Sequence, residues 1–409
     1  MTSSIHALTA FGLVWVCTAT SLAQSADSRV LDAVRGAPAV TLASAEREAA
    51  IARAQQITVG EYETNLETGF ARRHVDTDGD SVEWQVGLSR RFRWPQKRLL
   101  DYEMARTSVA LADARYASAW HQAALEWASL WVRWKQARDL QAILARRVED
   151  TRSRRDLERE RIAQGRGRLI DLDRVERDLA LLNGQLGAAE QETELARLAL
   201  ESNYPGTAET DLVSSSRPDD CAVDMENWQS VAAALERAPS LRVARLSLER
   251  AELARVRANY DQRADPQVGL QVFSERDGRE TGLGISLSMP ISGGLRRARV
   301  HESGADRDIR MAELDAVEAA TRQLALEHSA RLLRIDFQLD QARTAVDAAS
   351  QVLDRLATGQ ALQAVTQLEV LEARDSLWEA REAEARIEAS HLGARLELGI
   401  RLGCILQVE

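Results

Sequence analysis

Two copies of one sequence unit make up almost the whole chain. Arg35-Gly-Ala-Pro38 is echoed by Arg237-Ala-Pro239, and Trp94-Pro95 is echoed by Met289-Pro290. In each copy, a helical stretch is followed by two alternating segments, a proline and a long helical region. Such a duplication predicts two halves with the same order of elements. We expect the first copy at 24–202, an irregular connector at 203–227 and the second copy at 228–409.

The alternating segments of each copy change from apolar to polar with a period of two, which is typical of strands with two different faces. We predict strands at about 58–71, 82–94, 265–274 and 280–291. The apolar positions include Trp84, Val86, Leu88, Leu283, Ile285 and Leu287. Arg90 interrupts the apolar side of its strand. Asp78-Gly79 and Asp277-Gly278 lie between the members of each pair, as expected for hairpin turns.

Four strands of this kind are too few to close a barrel around a pore. In lipid, an open sheet edge would leave backbone groups unpaired, at a cost of several kcal/mol each. If the strands cross a membrane, other copies of the chain must complete the wall. The alternative is a soluble periplasmic adaptor or scaffold without a pore, in which the hairpins cap a helical bundle and bury their apolar faces against protein.

Long helices are predicted where proline is absent, at about 95–163, 169–202, 295–357 and 363–402. The first would be roughly 100 Å long at about 1.5 Å per residue. Apolar residues three and four apart indicate coiled-coil packing between helices. Gly165 and Gly359 interrupt the helical stretches and predict tight turns between antiparallel helices. A tryptophan stripe fits a helix–helix core better than a cofactor site, and its members are Trp120, Trp127, Trp131 and Trp134.

Residues 1–23 resemble an export signal. Leu8 to Ala19 is apolar and uncharged, and Ser21-Leu22-Ala23 supplies a small–x–small cleavage site, although no Lys or Arg precedes it. Cys17 lacks the small preceding residue of a lipidated cysteine, which favours simple cleavage. No later apolar run is long enough for a membrane-spanning helix. Cleavage would leave Cys221 and Cys404, which could form a disulfide bond or remain two free thiols.

Chemistry-bearing motifs are sparse. The net charge of −10 argues against nucleic-acid binding. We expect no enzyme activity, no metal site and no cofactor, because the histidines, cysteines and serines show no ligand or catalytic spacing. Asp76-Thr-Asp-Gly-Asp80 fits a hairpin turn better than a calcium loop. The acidic strand positions could line a cation-favouring lumen or carry solvated charge, and they are Glu61, Glu63, Glu67 and Glu83.

The second copy resembles the TolC family of outer-membrane factors. The resemblance rests on Asp265-Pro-Gln-Val-Gly-Leu270 and on Gly282-Leu-Gly-Ile-Ser-Leu-Ser-Met-Pro-Ile-Ser-Gly-Gly-Leu-Arg296, in which a strand ends in Pro-Ile and Gly-Gly leads into a helix rich in Ala and Arg. It covers nearly the whole chain after the export signal. The shortness of the chain places it closer to the heavy-metal-efflux branch than to the longer drug and protein exporters.

This resemblance implies a mainly α-helical protein with a small β part. Three copies would share a twelve-stranded barrel in the outer membrane of a Gram-negative bacterium, and their helices would form a tunnel across the periplasm. The turns at the far ends of the helices would dock onto a periplasmic adaptor and an inner-membrane pump, and would gate the tunnel. The matching tip positions are Gly165, Arg166, Gly167, Arg168, Leu169, Gly359, Gln360 and Leu362. The implied function is a passive exit duct for small molecules or metal ions, and both cysteines would lie in its equatorial region.

Overall fold

The computed structural model describes residues 28–60, 62–77, 79–209, 223–224, 227–291, 293–361 and 364–406. The fold is mainly α-helical with one small antiparallel sheet, which confirms the predicted fold class. The export signal predicted at 1–23 and most of the connector predicted at 203–227 lie outside the described residues. None of the helices within the described ranges is long and apolar enough to cross a lipid bilayer.

Eight α-helices and four strands follow one another in the described part of the chain, and a short 3-10 turn (Arg276–Gly278) joins the last two strands. The helices are α1 (28–36), α2 (Pro38–Val59), α3 (Pro95–Ala163), α4 (Leu169–Asn203), α5 (Trp228–Leu235), α6 (Pro239–Asp261), α7 (Gly294–Ala361) and α8 (Gln367–Arg401). The strands are β1 (Thr64–Val75), β2 (Gly79–Arg91), β3 (Gln267–Glu275) and β4 (Glu280–Ser288).

The chain forms two compact units. The helical unit consists of Met1–Thr41, Ala119–Ala238 and Thr321–Glu409, and the sheet-bearing unit consists of Leu42–Ser118 and Pro239–Ala320. Helices α3 and α7 begin in the sheet-bearing unit and end in the helical unit. These two helices therefore contribute residues to both units, whereas α4 and α8 belong to the helical unit alone.

In the sheet-bearing unit, the four strands form one antiparallel sheet in the order β1-β2-β3-β4. The β2–β3 pairing, which runs from Trp84 opposite Ser274 to Arg91 opposite Gln267, joins the two hairpins. Strand β1 begins later than predicted because α2 continues to Val59. Gly60 then ends the helix with φ +96°, a conformation that suits glycine.

In the helical unit, the tryptophan stripe of α3 is buried. Trp127 and Trp131 are 0% and 2% exposed, and their stacked rings are 6.1 Å apart between centroids. Trp120 and Trp134 are buried as well, which confirms the predicted role of the stripe in helix packing. A second buried cluster joins α5, α7 and α8, and it contains Val231, Leu235, Ala325, Leu332, Ile335, Ala394 and Leu398.

Candidate functional site: the four-stranded sheet and the helix-end turns

The sheet has one apolar face that is open to its surroundings. A row of paired residues crosses all four strands and contains Leu66, Leu88, Leu270 and Ile285. The next row contains Thr68, Val86, Val272 and Leu283. On β4, Leu283, Ile285 and Leu287 are 69%, 79% and 74% exposed. The six strand residues selected from the sequence all share this face, because side chains two residues apart point the same way.

The opposite face of the sheet carries small and polar residues. An added Cβ at Gly282 would lie 2.2 Å from the Phe273 ring, so the ring lies directly over this glycine. Gln271 covers Gly284 in the same way, and a Cβ there would come within 3.0 Å of its side chain. Two bulky side chains, Phe273 and Gln271, therefore lie along the sheet over glycines on this face.

Both outer edges of the sheet are free within this chain. In the described residues, β1 pairs only with β2, and β4 pairs only with β3. Each edge therefore presents backbone N–H and C=O groups without a strand partner. An edge of this kind is a template for pairing with another chain.

Aromatic residues flank the apolar face at both ends. Phe70 and Trp84 form a cross-strand pair near the hairpin turn, and Phe92 and Trp94 lie at the helix end. All four are exposed, by 39% to 81%. Trp84 and Phe92 are separated by about 27 Å along the strand at about 3.4 Å per residue, or about 21 Å at a tilt of about 40°. This height is comparable with the apolar band of a membrane β-barrel, about 25 Å tall between aromatic girdles.

A buried ion-pair network holds the start of α3 against the end of α6. The Lys97 side chain is 1% exposed, and its Nζ lies 3.0 Å from Asp265 and 3.1 Å from Asp261. Tyr62 donates a hydrogen bond of 2.8 Å to Asp265. Burial opposes the charge of Asp265, but the hydrogen bonds from Lys97 and Tyr62 outweigh it and lower the pKa of the carboxyl.

Arg257 extends this network across the same helices. Its Nε lies 2.7 Å from Asp101, which also pairs with Arg93, and its guanidinium reaches Asp261. The network therefore fixes the two hairpins at their roots, where β2 leads into α3 and α6 leads into β3. The sequence did not reveal these contacts, since Lys97–Asp265 and Arg257–Asp101 join positions more than 150 apart and no local pattern marks them.

The first predicted tip turn lies where the sequence placed it. Gly165 has φ +73°, and the N–H groups of Gly165 and Arg166 donate to the carbonyls of Ile162 and Arg161 over 2.9 and 2.8 Å. These bonds close the end of α3 in a Schellman motif. At Gly167, an added Cβ would lie 2.7 Å from Ile162, so the turn has no room for a side chain there.

The start of α4 carries the remaining residues of the first turn. Arg168 donates two hydrogen bonds to Asp171, of 2.7 and 3.0 Å, and these contacts raise the pKa of its guanidinium. Leu169 is 69% exposed. The turn therefore presents charged and apolar side chains together.

The second turn begins later in the chain than the position of Gly359 predicted. Gly359 and Gln360 belong to the last turn of α7, which was predicted to end at about 357 and ends at Ala361. The predicted start of α8 at 363 is likewise too early, because Thr366 caps the helix through a capping box with Glu369. A helical glycine costs only about 1 kcal/mol, so Gly359 alone does not end the helix. Leu362 lies outside the described residues.

Polar contacts connect α3 and α8 close to both turns. Gln367 donates a hydrogen bond to Glu158, and its amide oxygen accepts one of 2.5 Å from Arg161. Further along the helices, Arg374 pairs with Asp150 at 3.0 Å. Sequence reasoning missed these residues, because charged positions on a helix usually indicate only a solvated face.

Only one of the two cysteines predicted to pair lies in the described part of the chain. Cys404, just after α8, is disulfide-bonded. Cys221 lies outside the described residues, so the pairing of Cys221 with Cys404 stays a prediction.

The acidic strand residues differ in their contacts. Glu83 pairs with Arg73 at 3.1 Å, and Glu67 accepts a hydrogen bond of 3.1 Å from Ser89. Glu61 lies outside the described residues. Across the described ranges, no group of three or more His, Cys, Asp or Glu side chains is arranged to hold a metal ion. Lumen lining and solvated charge therefore both stay predictions for these acidic residues.

Solved structures with the same fold are outer-membrane proteins. The outer membrane protein VceC of Vibrio cholerae is 16% identical with a TM-score of 0.73, over 93% of this chain and 96% of that one. The CmeC outer membrane channel of Campylobacter jejuni is 12% identical with a TM-score of 0.72, over 93% of this chain and 86% of that one. The MtrE outer membrane channel of Neisseria gonorrhoeae in its open state is 16% identical with a TM-score of 0.65, over 92% of this chain and 88% of that one.

Neither protein-family models nor curated protein sequences give a match. The structural likeness shows that the chain has the fold expected from its resemblance to the TolC family.

Proposed function

We propose that this chain, which has the fold of outer-membrane channels, forms a passive channel in the outer membrane of a Gram-negative bacterium. Three copies would contribute four strands each to a twelve-stranded barrel. Their helices would continue the passage into the periplasm. The channel would be the exit duct of a tripartite export system, and it would carry out no catalysis.

The observation that carries this proposal is the combination of an open apolar sheet face with two unpaired edges. A soluble monomer rarely exposes a contiguous apolar patch of this kind. Lipid would cover the apolar face, and neighbouring copies would pair with both edges. The small and polar side chains of the opposite face would then surround the lumen.

We also propose that the helix-end turns are the docking and gating end of the channel. The support is their mixed chemistry: Leu169 and Ile170 are 69% and 52% exposed beside the arginines of the first turn. The partners would be a periplasmic adaptor and an inner-membrane pump. A photo-crosslinking amino acid at position 169 should capture an adaptor in cells, whereas the same group at the exposed Phe70 of β1 should not.

The alternative function, a soluble periplasmic adaptor, has no support from the solved structures that share this fold. It would have no need for the apolar residues of β4, which are among the most exposed side chains of the sheet-bearing unit. An adaptor of this fold would have to bury them against an additional protein.

Planar lipid bilayers test the channel directly. The purified full-length chain should insert from detergent and give discrete conductance steps without any added partner. A protein that stays in the aqueous phase and gives no steps would contradict the proposal and favour the adaptor.

The cargo of the duct is proposed only by class, as small molecules or metal ions. The resemblance to the heavy-metal-efflux branch is the reason to include metal ions. Reversal potentials in a KCl gradient would show whether the lumen favours cations. If Glu67 and Glu83 line it, their replacement by glutamine should reduce the selectivity.

A further inference from the structure

Three arginines lie within four positions at the helix end of β2, and only one has no protein partner in the described part of the chain. The Arg91 guanidinium lies 5.2 Å from the centre of the Tyr62 ring. Arg93 pairs with Asp101 and donates a hydrogen bond of 3.1 Å to the carbonyl of Ile57. Arg90 is exposed. Among the described residues, its guanidinium therefore has no partner, and it is accessible to another molecule.

The register places Arg90 on the apolar face of the sheet. Its paired neighbours are Thr64 on β1 and Val268 on β3. Along β2, the side chains on the same face are Leu88 and Phe92, which are 53% and 51% exposed. A full positive charge thus lies between two apolar residues, and the exposed Trp94 follows two positions after Phe92.

The position of β2 in the sheet excludes two other occupants of this site. A neighbouring copy would pair with β1 or β4, and β2 is covered on both sides by strands of its own chain. A solute in the lumen would meet the opposite face, which carries Arg91. The remaining contact for Arg90 is the lipid around the barrel.

An arginine here can satisfy its charge only at the level of the headgroups. At the bilayer midplane, a lipid-facing arginine costs about 2–4 kcal/mol, and the cost falls to about 0–1 kcal/mol near the interface. Its long stem allows the guanidinium to reach towards the interface while the methylene groups stay in the apolar band. A phosphate matches the planar guanidinium through two parallel hydrogen bonds.

Arg72 provides an internal comparison on the same face. It lies near the hairpin turn, and its guanidinium is 2.6 Å from Asp80, which also contacts His74 at 2.6 Å. The charge at that end of the face is therefore neutralised within the chain, whereas no described residue neutralises the charge of Arg90 at the helix end.

We propose that Arg90 binds the phosphate group of a phospholipid in the membrane leaflet nearest the helices, beside the aromatic belt of Phe92 and Trp94. This inference rests on the proposed channel function, because it requires lipid against the apolar face. Each assembled channel would hold three such lipids, one for each copy.

Native mass spectrometry of the purified, delipidated full-length assembly tests this site with phosphatidylglycerol as the probe. We expect Arg90→Gln to weaken the tightest lipid binding at least fivefold. Arg91→Gln is the matched control, since it removes the same charge from the next residue on the opposite face, and it should stay within twofold of the wild type.

Equal lipid binding by the wild type and Arg90→Gln would overturn the proposal, as would an equal loss in Arg91→Gln. Displacement of the lipid by inorganic phosphate at an equal concentration would also overturn it, because the site would then be one for free phosphate. Conductance of the same samples separates the two proposals. If every variant conducts and Arg90→Gln does not weaken lipid binding, only the proposed Arg90 site is wrong. If neither the wild type nor any variant conducts, the proposed channel function is wrong.

Discussion

Lys97 carries a buried charge whose removal should be costly. Its ammonium group holds Asp265 and Asp261 at the junction of β2, α3 and α6. Replacing Lys97 with methionine would leave Asp265 charged and buried without its main partner. Breaking one side of such a pair costs roughly 3–5 kcal/mol.

We therefore expect Lys97→Met to lower the unfolding temperature of the purified protein in detergent by several degrees. A double variant with Asp265→Asn should recover part of the loss, since it removes the orphaned charge. Equal unfolding temperatures for the wild type and Lys97→Met would show that the network does not stabilise the junction.

Glu397 should make stability depend on pH in the helical unit. A hydrogen bond from His328, with a further contribution from Arg401, lowers the pKa of Glu397 to about 2. Because the pKa is lower in the folded state, the stabilisation is complete above the ordinary carboxyl pKa of about 4.5 and is lost as the pH falls towards 2.

At pH 7, Glu397→Gln should reduce the free energy of unfolding by about 1.5–3 kcal/mol, a typical value for a hydrogen bond to a charged group. The difference from the wild type should shrink as the pH falls below about 4.5. Denaturant-induced unfolding at several pH values measures this difference in stability. Glu388 is exposed on the same helix, so Glu388→Gln is the control. A difference that did not change with pH would contradict the assigned cause.

At the scale of elements, an added positive charge should reduce membrane insertion at one position of β4 and leave it unchanged at the next. Ile285 is 79% exposed on the apolar face, and Ser286 points to the other face. An arginine near the bilayer midplane costs about 2–4 kcal/mol for each copy. Ile285→Arg should therefore reduce the amount of protein in the outer-membrane fraction severalfold, whereas Ser286→Arg should retain it and change only the conductance. Equal losses in both variants would mean that the two faces do not differ in their surroundings.

The tip turn and a helical glycine provide a second paired comparison. Gly165 has φ +73°, and Gly187 lies in α4 with no atom near an added Cβ. Alanine at Gly165 should destabilise the α3–α4 hairpin by about 1–2 kcal/mol because of backbone strain. Alanine at Gly187 should stabilise it by up to about 1 kcal/mol. Thermal melts of the two variants measure both effects, and destabilisation by both would show that space rather than φ limits these positions.

These elements show what local sequence can predict. The alternation of Leu283, Ile285 and Leu287 and the glycine of the first tip turn were enough to locate a strand and a helix end, because both depend on local geometry. The β2–β3 pairing and the Lys97 network depend on partners far apart in the chain. The end of α7 was misplaced because Gly359 is tolerated inside a helix, and the capping box at Thr366 is what starts the next helix.

At the scale of the whole molecule, the proposed channel depends on the incomplete closure of the sheet within one chain. One chain supplies four strands, an apolar outer face and two edges without partners. Neighbouring copies could satisfy both edges, and lipid could cover the face. The incomplete closure of the sheet therefore supports the proposed function more directly than any single residue does.

The mass of the assembly extracted from membranes tests this account most directly. Native mass spectrometry of the full-length protein, solubilised from the outer-membrane fraction in mild detergent, should give three copies of the processed chain and no stable monomer. A water-soluble monomer recovered from the periplasm would contradict the account.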